Sequence, residues 1–396
     1  MQNNIMTNLP QGWEVKKLGE IGEIVTGSTP SKSNLDFYGK DYPFFKPSDF
    51  EQGYFLENAG DNLSKLGFDK ARQLPPKTIL VVCIGSLGKV ALTRVIGSCN
   101  QQINAIIPHK NIIAEYIYYY CISSKFQSIL FSKAPQTTLA ILNKTEFSKL
   151  EIIYPKDIKE QERIVGILDE SFAKIDESIK ILEQNLLNLD ELMQSALQKA
   201  FNPLKDNAKE NYKLPQSWEW KSLEEISENI SAGGDKPKNC TESKTAKNQI
   251  PVYANGVNNN GLVGYTDKAT IIKPSLTISA RGTIGFVCIR KEPYFPIVRL
   301  ISLIPCENIL CLHYLYFCLN FFIAKGEGSS IPQLTIPKFK SLQIPLPPLK
   351  EQEQIAEHLD FVFEKAKALK ELYTKELKDY EELKQSLLNK AFKGEL

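Results

Sequence analysis

Residues 9–21 read LPQGWEVKKLGEI and residues 214–226 read LPQSWEWKSLEEI, with nine of thirteen positions identical. No local propensity makes such a mixture of Trp, Pro and charge recur, so its return 205 residues later marks a duplication. Further landmarks repeat in the same order. GSLGKVALT (85–93) is answered by SARGTIGFV (279–287), and LNKTEFSKLEI (142–152) by LTIPKFKSLQI (334–344). KEQERI (159–164) is answered by KEQEQI (350–355), and QSALQKAF (194–201) by QSLLNKAF (385–392). The period is far longer than a solenoid repeat, so each copy is a whole domain-sized unit.

A chain of 396 residues exceeds the usual size of one hydrophobic core. The repeats divide it into a globular block at 1–158, a long helix at 159–203, a second block at 204–350 and a second long helix at 351–396.

The helical segments carry the clearest periodicity. Leu168, Phe172, Ile175, Ile179, Leu182, Leu186, Leu189, Met193, Ala196 and Ala200 alternate steps of four and three, which keeps one apolar seam along a helix and specifies a coiled coil. No Pro or Gly interrupts 167–202, and Pro203 is expected to stop the helix. The second copy has a looser seam of Leu359, Val362, Ala366, Leu369, Tyr373, Leu377, Tyr380, Leu387 and Ala391. Each helix, about 60 Å long at 1.5 Å per residue, outreaches the block beside it. The two are therefore expected to pack on each other, antiparallel if a pseudo-two-fold axis relates the copies.

Within the blocks the period changes. KTILVVCI, KVALTRVI, QINAIIP, LVGYT, SLTISA and IGFVCIR are short β-rich runs bounded by Gly, Pro and Asn, whereas EYIYYYCISSKFQSILFS and ILCLHYLYFCLNFFIAK are helical. The expected fold class is α+β: two pseudo-symmetric globular domains joined by two long helices that form an antiparallel coiled coil.

Net charge is +2, but it is unevenly placed. The blocks carry 17 Lys and Arg against 14 Asp and Glu, and 18 against 12; the helical segments carry 5 against 9, and 8 against 11. Basic blocks beside acidic helices permit nucleic-acid binding by the blocks. No apolar run of eighteen residues is present, and the opening MQNNIMTNLPQGW lacks signal-peptide blocks, so a cytoplasmic protein without a membrane partner is expected. The eight cysteines form no CxxC pair and the three histidines lie far apart, which argues for buried thiols rather than a metal site.

Catalytic motifs are missing. GSLGKV has two residues between its glycines where a phosphate loop needs four, and Val90 follows Lys89 where that loop needs Ser or Thr, so a tight turn between strands is expected. No [DN]PP[YF] element or Gly-rich cofactor loop points to a methyltransferase. YPKDIKEQE reads as helix capping, with Asp157 before the helix and Glu160 in its first turn, rather than as a nuclease's acidic cluster. What remains is polar, amide-rich and basic. Asn and Gln suit adenine and Arg or Lys suits guanine, which makes Lys32, Lys46, Ser48, Arg94, Gln101, Gln102, Asn104 and Lys133 DNA-contact candidates in the first block. Lys236, Lys238, Asn255, Asn258, Asn259, Arg281 and Arg299 are the candidates in the second. Asn-Gly runs are equally the material of turns.

GSTPSKSN…FFKPSDF, ISARGTIG, LNKTEFSKLEI with its KEQERI helix start, and the final QSLLNKAFKGEL together resemble the specificity subunit of Type I restriction-modification systems. The resemblance spans both copies. It implies a non-catalytic chain whose two target-recognition domains each read half of a split double-stranded DNA site. It also implies that the helices set the gap and bind two modification subunits, which hold S-adenosylmethionine and methylate adenine. ATP- and Mg-dependent translocation and cleavage would belong to restriction subunits of the assembled complex, and this chain would carry no cofactor. The second block departs in SAGGDKPK for TGSTPSKS and in IPQLT for LAILN. A coiled-coil scaffold with two protein-binding domains is the other reading, and a fused methyltransferase or nuclease a third.

Overall fold

The computed structural model describes residues 9–134, 140–201, 215–323, 326–327 and 334–396. Pro203, the expected helix stop, lies outside them. The chain forms two compact units, one of Met1–Leu182 with Lys375–Leu396 and one of Glu183–Thr374. Each unit contains one globular block and a portion of both long helices.

In unit 1 the main sheet uses β1 (Gly22–Thr26), β2 (Phe55–Leu56), β3 (Ile79–Val82), β4 (Val90–Thr93) and β5 (Ile103–Pro108), in the order β1-β5-β3-β4-β2. Unit 2 builds the same order without the short edge strand, from β6 (Ser227–Ala232), β7 (Ser275–Ile278), β8 (Val287–Arg290) and β9 (Ile301–Pro305), as β6-β9-β7-β8. β3 and β7 are central and buried along their whole length, which explains continuous apolar or small-residue runs instead of alternation.

The repeated opening motif has a structural task. Trp13–Lys17 pairs antiparallel with Glu151–Pro155, and Glu219–Ser222 pairs with Gln343–Leu346, so each copy ties the start of its block to the strand preceding a long helix. The Trp218 indole N–H donates to Glu351 Oε1 at 3.1 Å.

The long helices are α1 (Ile158–Phe201) and α2 (Leu349–Ala391). In unit 1, Arg163 Nη2 of α1 donates to the Leu396 carbonyl at 2.9 Å, and Lys384 Nζ of α2 lies 2.6 Å from Asp176 Oδ1 of α1. In unit 2, Lys370 of α2 pairs with Asp190 of α1, while Leu197 and Phe201 share a core with Leu359. Positions rise along α1 as they fall along α2, so each unit holds the helices antiparallel. The repeated KAF ends close the cores. Phe392 lies edge-on to Tyr116 and Tyr120 in unit 1, and Phe201 packs on Tyr314 in unit 2. Burying each ring is worth roughly 1.5–3 kcal/mol.

Along α1, Leu168, Ile175, Leu182 and Leu189 are buried at seven-residue steps, with Phe172, Ile179, Leu186 and Met193 half-buried between them. Along α2, Leu359 and Ala366 are buried and Val362, Tyr373, Leu377, Tyr380 and Leu387 half-buried, but Leu369 is 38% exposed and leaves the seam. Lys370 takes that place. A strict alternation of four and three runs through 359, 363, 366, 370, 373, 377, 380, 384, 387 and 391, with Lys370 and Lys384 as members. Counting only apolar residues misses lysines whose stems lie in a seam while their ammonium groups reach partners at its rim.

Candidate nucleic-acid interface

The same turn is built twice. Between β3 and β4, Gly85 and Gly88 hold φ of 83° and 91°; between β7 and β8, Gly282 and Gly285 hold 69° and 82°. These left-handed positions favour glycine, which accounts for the paired glycines that GSLG and GTIG share. In each turn the backbone closes locally: Gly88 N–H donates to the Val82 carbonyl at 2.9 Å, and Gly285 N–H to the Ser279 carbonyl at 3.0 Å.

In unit 1 three other segments gather at this turn. Gly27 N–H donates to the Ile103 carbonyl at 3.0 Å and Ser28 N–H to the Cys99 carbonyl at 3.0 Å, which brings the TGST loop against CNQQIN. The Thr29 hydroxyl donates to Gln101 Oε1 at 2.5 Å. Gly85 N–H donates to the Ala140 carbonyl at 3.3 Å, and Leu142 N–H to the Cys83 carbonyl at 2.9 Å, adding the segment before Asn143. Gln101 is exposed and Gln102 half-buried, the latter donating to the Ile84 carbonyl at 3.4 Å and accepting from Asn100 at 2.9 Å.

Unit 2 repeats the assembly. Gly233 N–H donates to the Leu300 carbonyl at 2.8 Å as Gly27 does to Ile103, and Ile297 N–H to the Tyr253 carbonyl at 2.8 Å as Asn100 does to Phe45. Val298 and Arg299 thereby stand where unit 1 has Gln101 and Gln102. Arg281 and Arg299 are exposed beside this cluster, one on the GTIG turn and one on the loop before β9.

The remaining candidates divide by what their side chains already do. Lys32, Ser48, Lys133, Lys236, Lys238, Asn258 and Asn259 are exposed, and Asn259 occupies a left-handed turn with φ 47°. Lys46 pairs with Asp61, and Arg94 pairs with Glu57 at 3.0 Å while its guanidinium lies 3.6 Å from the centre of the Phe55 ring. Two assignments change. Asn104 is 2% exposed, donates to the Leu142 carbonyl at 3.3 Å and accepts from Thr26 at 2.6 Å, so it stitches loops rather than facing a base. Asn255 likewise uses both ends of its amide inside the fold, on Ala280 N–H at 2.8 Å and the Val298 carbonyl at 2.6 Å.

Acids temper the positive field of unit 1. The Lys89 ammonium hydrogen-bonds Glu51 and holds its carboxyl below the ordinary value. Burial pushes the Cys83 and Cys99 thiols up to about 12, as expected of inert core cysteines. Among the described residues no group of three His, Cys, Asp or Glu could hold a metal ion, and no helix is long and apolar enough to cross a membrane.

Two residues escaped the sequence reading. Gln161 and Gln352, in the first turns of α1 and α2, are fully buried. Gln161 accepts from Ile113 N–H at 2.9 Å and donates to the carbonyls of Pro155 at 2.9 Å and Asn111 at 3.4 Å. Gln352 accepts from Cys311 N–H at 2.9 Å and donates to the carbonyls of Ile309 at 2.9 Å and Pro347 at 2.8 Å. Each bolts a block to its helix. The signal was present as the unchanged KEQE of both copies, which capping alone did not require to include Gln.

Comparison with known proteins gives a consistent result. A family model described as the Type I restriction modification DNA specificity domain matches residues 10–187 and 215–378. The HindI specificity subunit of Haemophilus influenzae is 37% identical over 191 residues, 47% of this chain and 42% of that protein, so this alignment spans less than half the relative's length. The MjaIX specificity subunit of Methanocaldococcus jannaschii is 24% identical over 90% of this chain and 88% of its own. In fold, a chain from work on complex assembly and conformational transition of the type I R-M system matches with TM-score 0.81 at 19% identity, covering 98% of this chain and 100% of that one. The HsdS subunit from Thermoanaerobacter tengcongensis matches at 0.62 and 20% identity, covering 99% of both.

Proposed function

The chain belongs to the family of Type I restriction-modification DNA specificity subunits, and from that premise we propose that each globular unit reads one half of a bipartite double-stranded DNA site. On this reading the antiparallel helices set the gap between the halves and bind two modification subunits. The chain itself performs no chemistry. S-adenosylmethionine sits on the modification subunits, and ATP and Mg act with restriction subunits of the assembled complex in the cytoplasm.

One observation carries this reading. The same cluster of loops is built twice on several shared backbone bonds, yet its tips differ: Gln101 and Gln102 in one copy, Val298 and Arg299 in the other. A constant scaffold with exchanged tip residues, two amides in one copy and an apolar side chain with a guanidinium in the other, suits two recognition surfaces for two different sequences. The turn glycines account for what is constant; Gln101, Val298 and Arg299 are exposed, so core packing does not fix their identities.

Titration of fluorescent duplex DNA with the chain assembled with a modification subunit tests the proposal. Affinity should fall by orders of magnitude between about 50 and 200 mM salt, in proportion to the number of phosphates neutralised. Binding that is absent, or indifferent to salt, would favour a protein-binding scaffold instead.

A further inference from the structure

Val298 and Arg299 are consecutive non-glycine residues with left-handed backbone, at φ 54° and 58°. For β-branched valine this region is sterically disfavoured, and such conformations persist only where the surroundings over-determine them. Three hydrogen bonds do so here. Val298 N–H donates to the Gly234 carbonyl and Arg299 N–H to the Gly233 carbonyl, both at 2.8 Å, and the Asn255 amide donates to the Val298 carbonyl at 2.6 Å. Gly233 is required for this approach, because a side chain on it would meet the Ile297 backbone nitrogen at 2.6 Å.

The strain is not offset by burial of the strained side chains. Val298 is 51% exposed and Arg299 is exposed too, so the loop holds an apolar tip and a guanidinium out toward solvent. Asn255 also accepts from Ala280 N–H at 2.8 Å, so one amide fixes both this loop and the turn that carries Arg281. The equivalent pair in unit 1, Gln101 and Gln102, has no left-handed residue. The strain therefore belongs to these tips and is not imposed by the shared scaffold.

We propose that Val298 and Arg299 are specificity-determining residues for the half-site read by unit 2, and that Asn255 is their positioning residue. Arg299 donates its fork to O6 and N7 of a guanine, and Val298 touches the 5-methyl group of an adjoining thymine. The assignment rests on the reading of the chain as a DNA specificity subunit.

The test uses the full chain assembled with its modification subunits, after methylation mapping has defined the bipartite target. Competitor duplexes then vary each base pair in turn, with 7-deazaguanine and deoxyuridine as single-atom and single-methyl probes. Arg299→Ala should lose about 10- to 100-fold discrimination at one G·C pair of one half-site and become indifferent to 7-deazaguanine there. Val298→Ala should become indifferent to deoxyuridine at the neighbouring position. Asn255→Asp keeps an acceptor for Ala280 N–H but no donor for the Val298 carbonyl, and it should relax the same two pairs, which a general loss of stability would not single out. The other half-site, still discriminated, reports that each variant is folded. Variants that leave every base preference unchanged, or that weaken both halves evenly, overturn the proposal alone. A wild-type complex with no bipartite preference overturns the underlying reading, and the proposal with it.

Discussion

Lys384 of α2 lies 2.6 Å from Asp176 of α1 and 5.7 Å from the centre of the Phe172 ring, with its side chain only 16% exposed. A lysine in a heptad seam is held there by one specific aspartate on the opposing helix. Lys370 and Asp190 repeat the arrangement in unit 2. Polar seam residues fix register and partner at some cost in stability. Lys370→Leu and Lys384→Leu should therefore each raise the denaturation midpoint, by about 1–2 kcal/mol of added apolar burial, while promoting self-association visible by light scattering. A lowered midpoint would show that the ion pairs stabilise more than they specify.

Gln161 and Gln352 are themselves fully buried and each satisfies three backbone groups, of which the Pro155 and Pro347 carbonyls are met in buried bonds. Replacement by Leu leaves those groups unpaired, and an unsatisfied buried polar group costs on the order of 1–3 kcal/mol. Each substitution should lower the urea midpoint correspondingly. An unchanged midpoint would mean that water reaches these groups in the variants.

Gln101→Ala and Arg281→Ala act on exposed tips and should leave the fold intact. Each should relax one base pair of one half-site, by about 1–3 kcal/mol if the contact is bidentate. Methylation of single-base variants of the target measures this. A double substitution with unaltered base preference and affinity would remove both residues from the interface.

Four residues inserted after Leu186 advance the α1 seam by roughly one turn. The gap between methylated half-sites should change, or assembly with the modification subunits should fail. Methylation at the original sites would contradict a spacing role for the helix.

Cys83 and Cys99, pushed up to about 12 by burial, stay protonated thiols well above neutral pH. Iodoacetamide at pH 8 should leave both unmodified in the native protein while half-buried Cys240 and Cys306 react first. Peptide mass mapping that found Cys83 or Cys99 alkylated as fast as these would contradict it.

Periodicity and repetition made the architecture legible. Two copies of LPQ-W-E, two GxxG turns and two heptad helices all announce themselves by spacing. Burial does not. Asn104 and Gln101 sit three residues apart in one amide-rich run, yet one stitches the core and the other faces solvent. Leu369 reads as a seam residue because it is apolar, and Lys370 does not because it is charged; only the helix geometry shows which of the two faces inward. Strain at Val298 is equally silent in sequence, since nothing in IVRL signals left-handed backbone.

Single-molecule methylation sequencing of DNA from cells expressing this chain with its modification subunits tests the central claim most directly. The account requires one bipartite motif, two short defined sequences separated by a gap of fixed length, with methylated adenine in the motif. Methylation of a single continuous sequence, or none that depends on this chain, would contradict it.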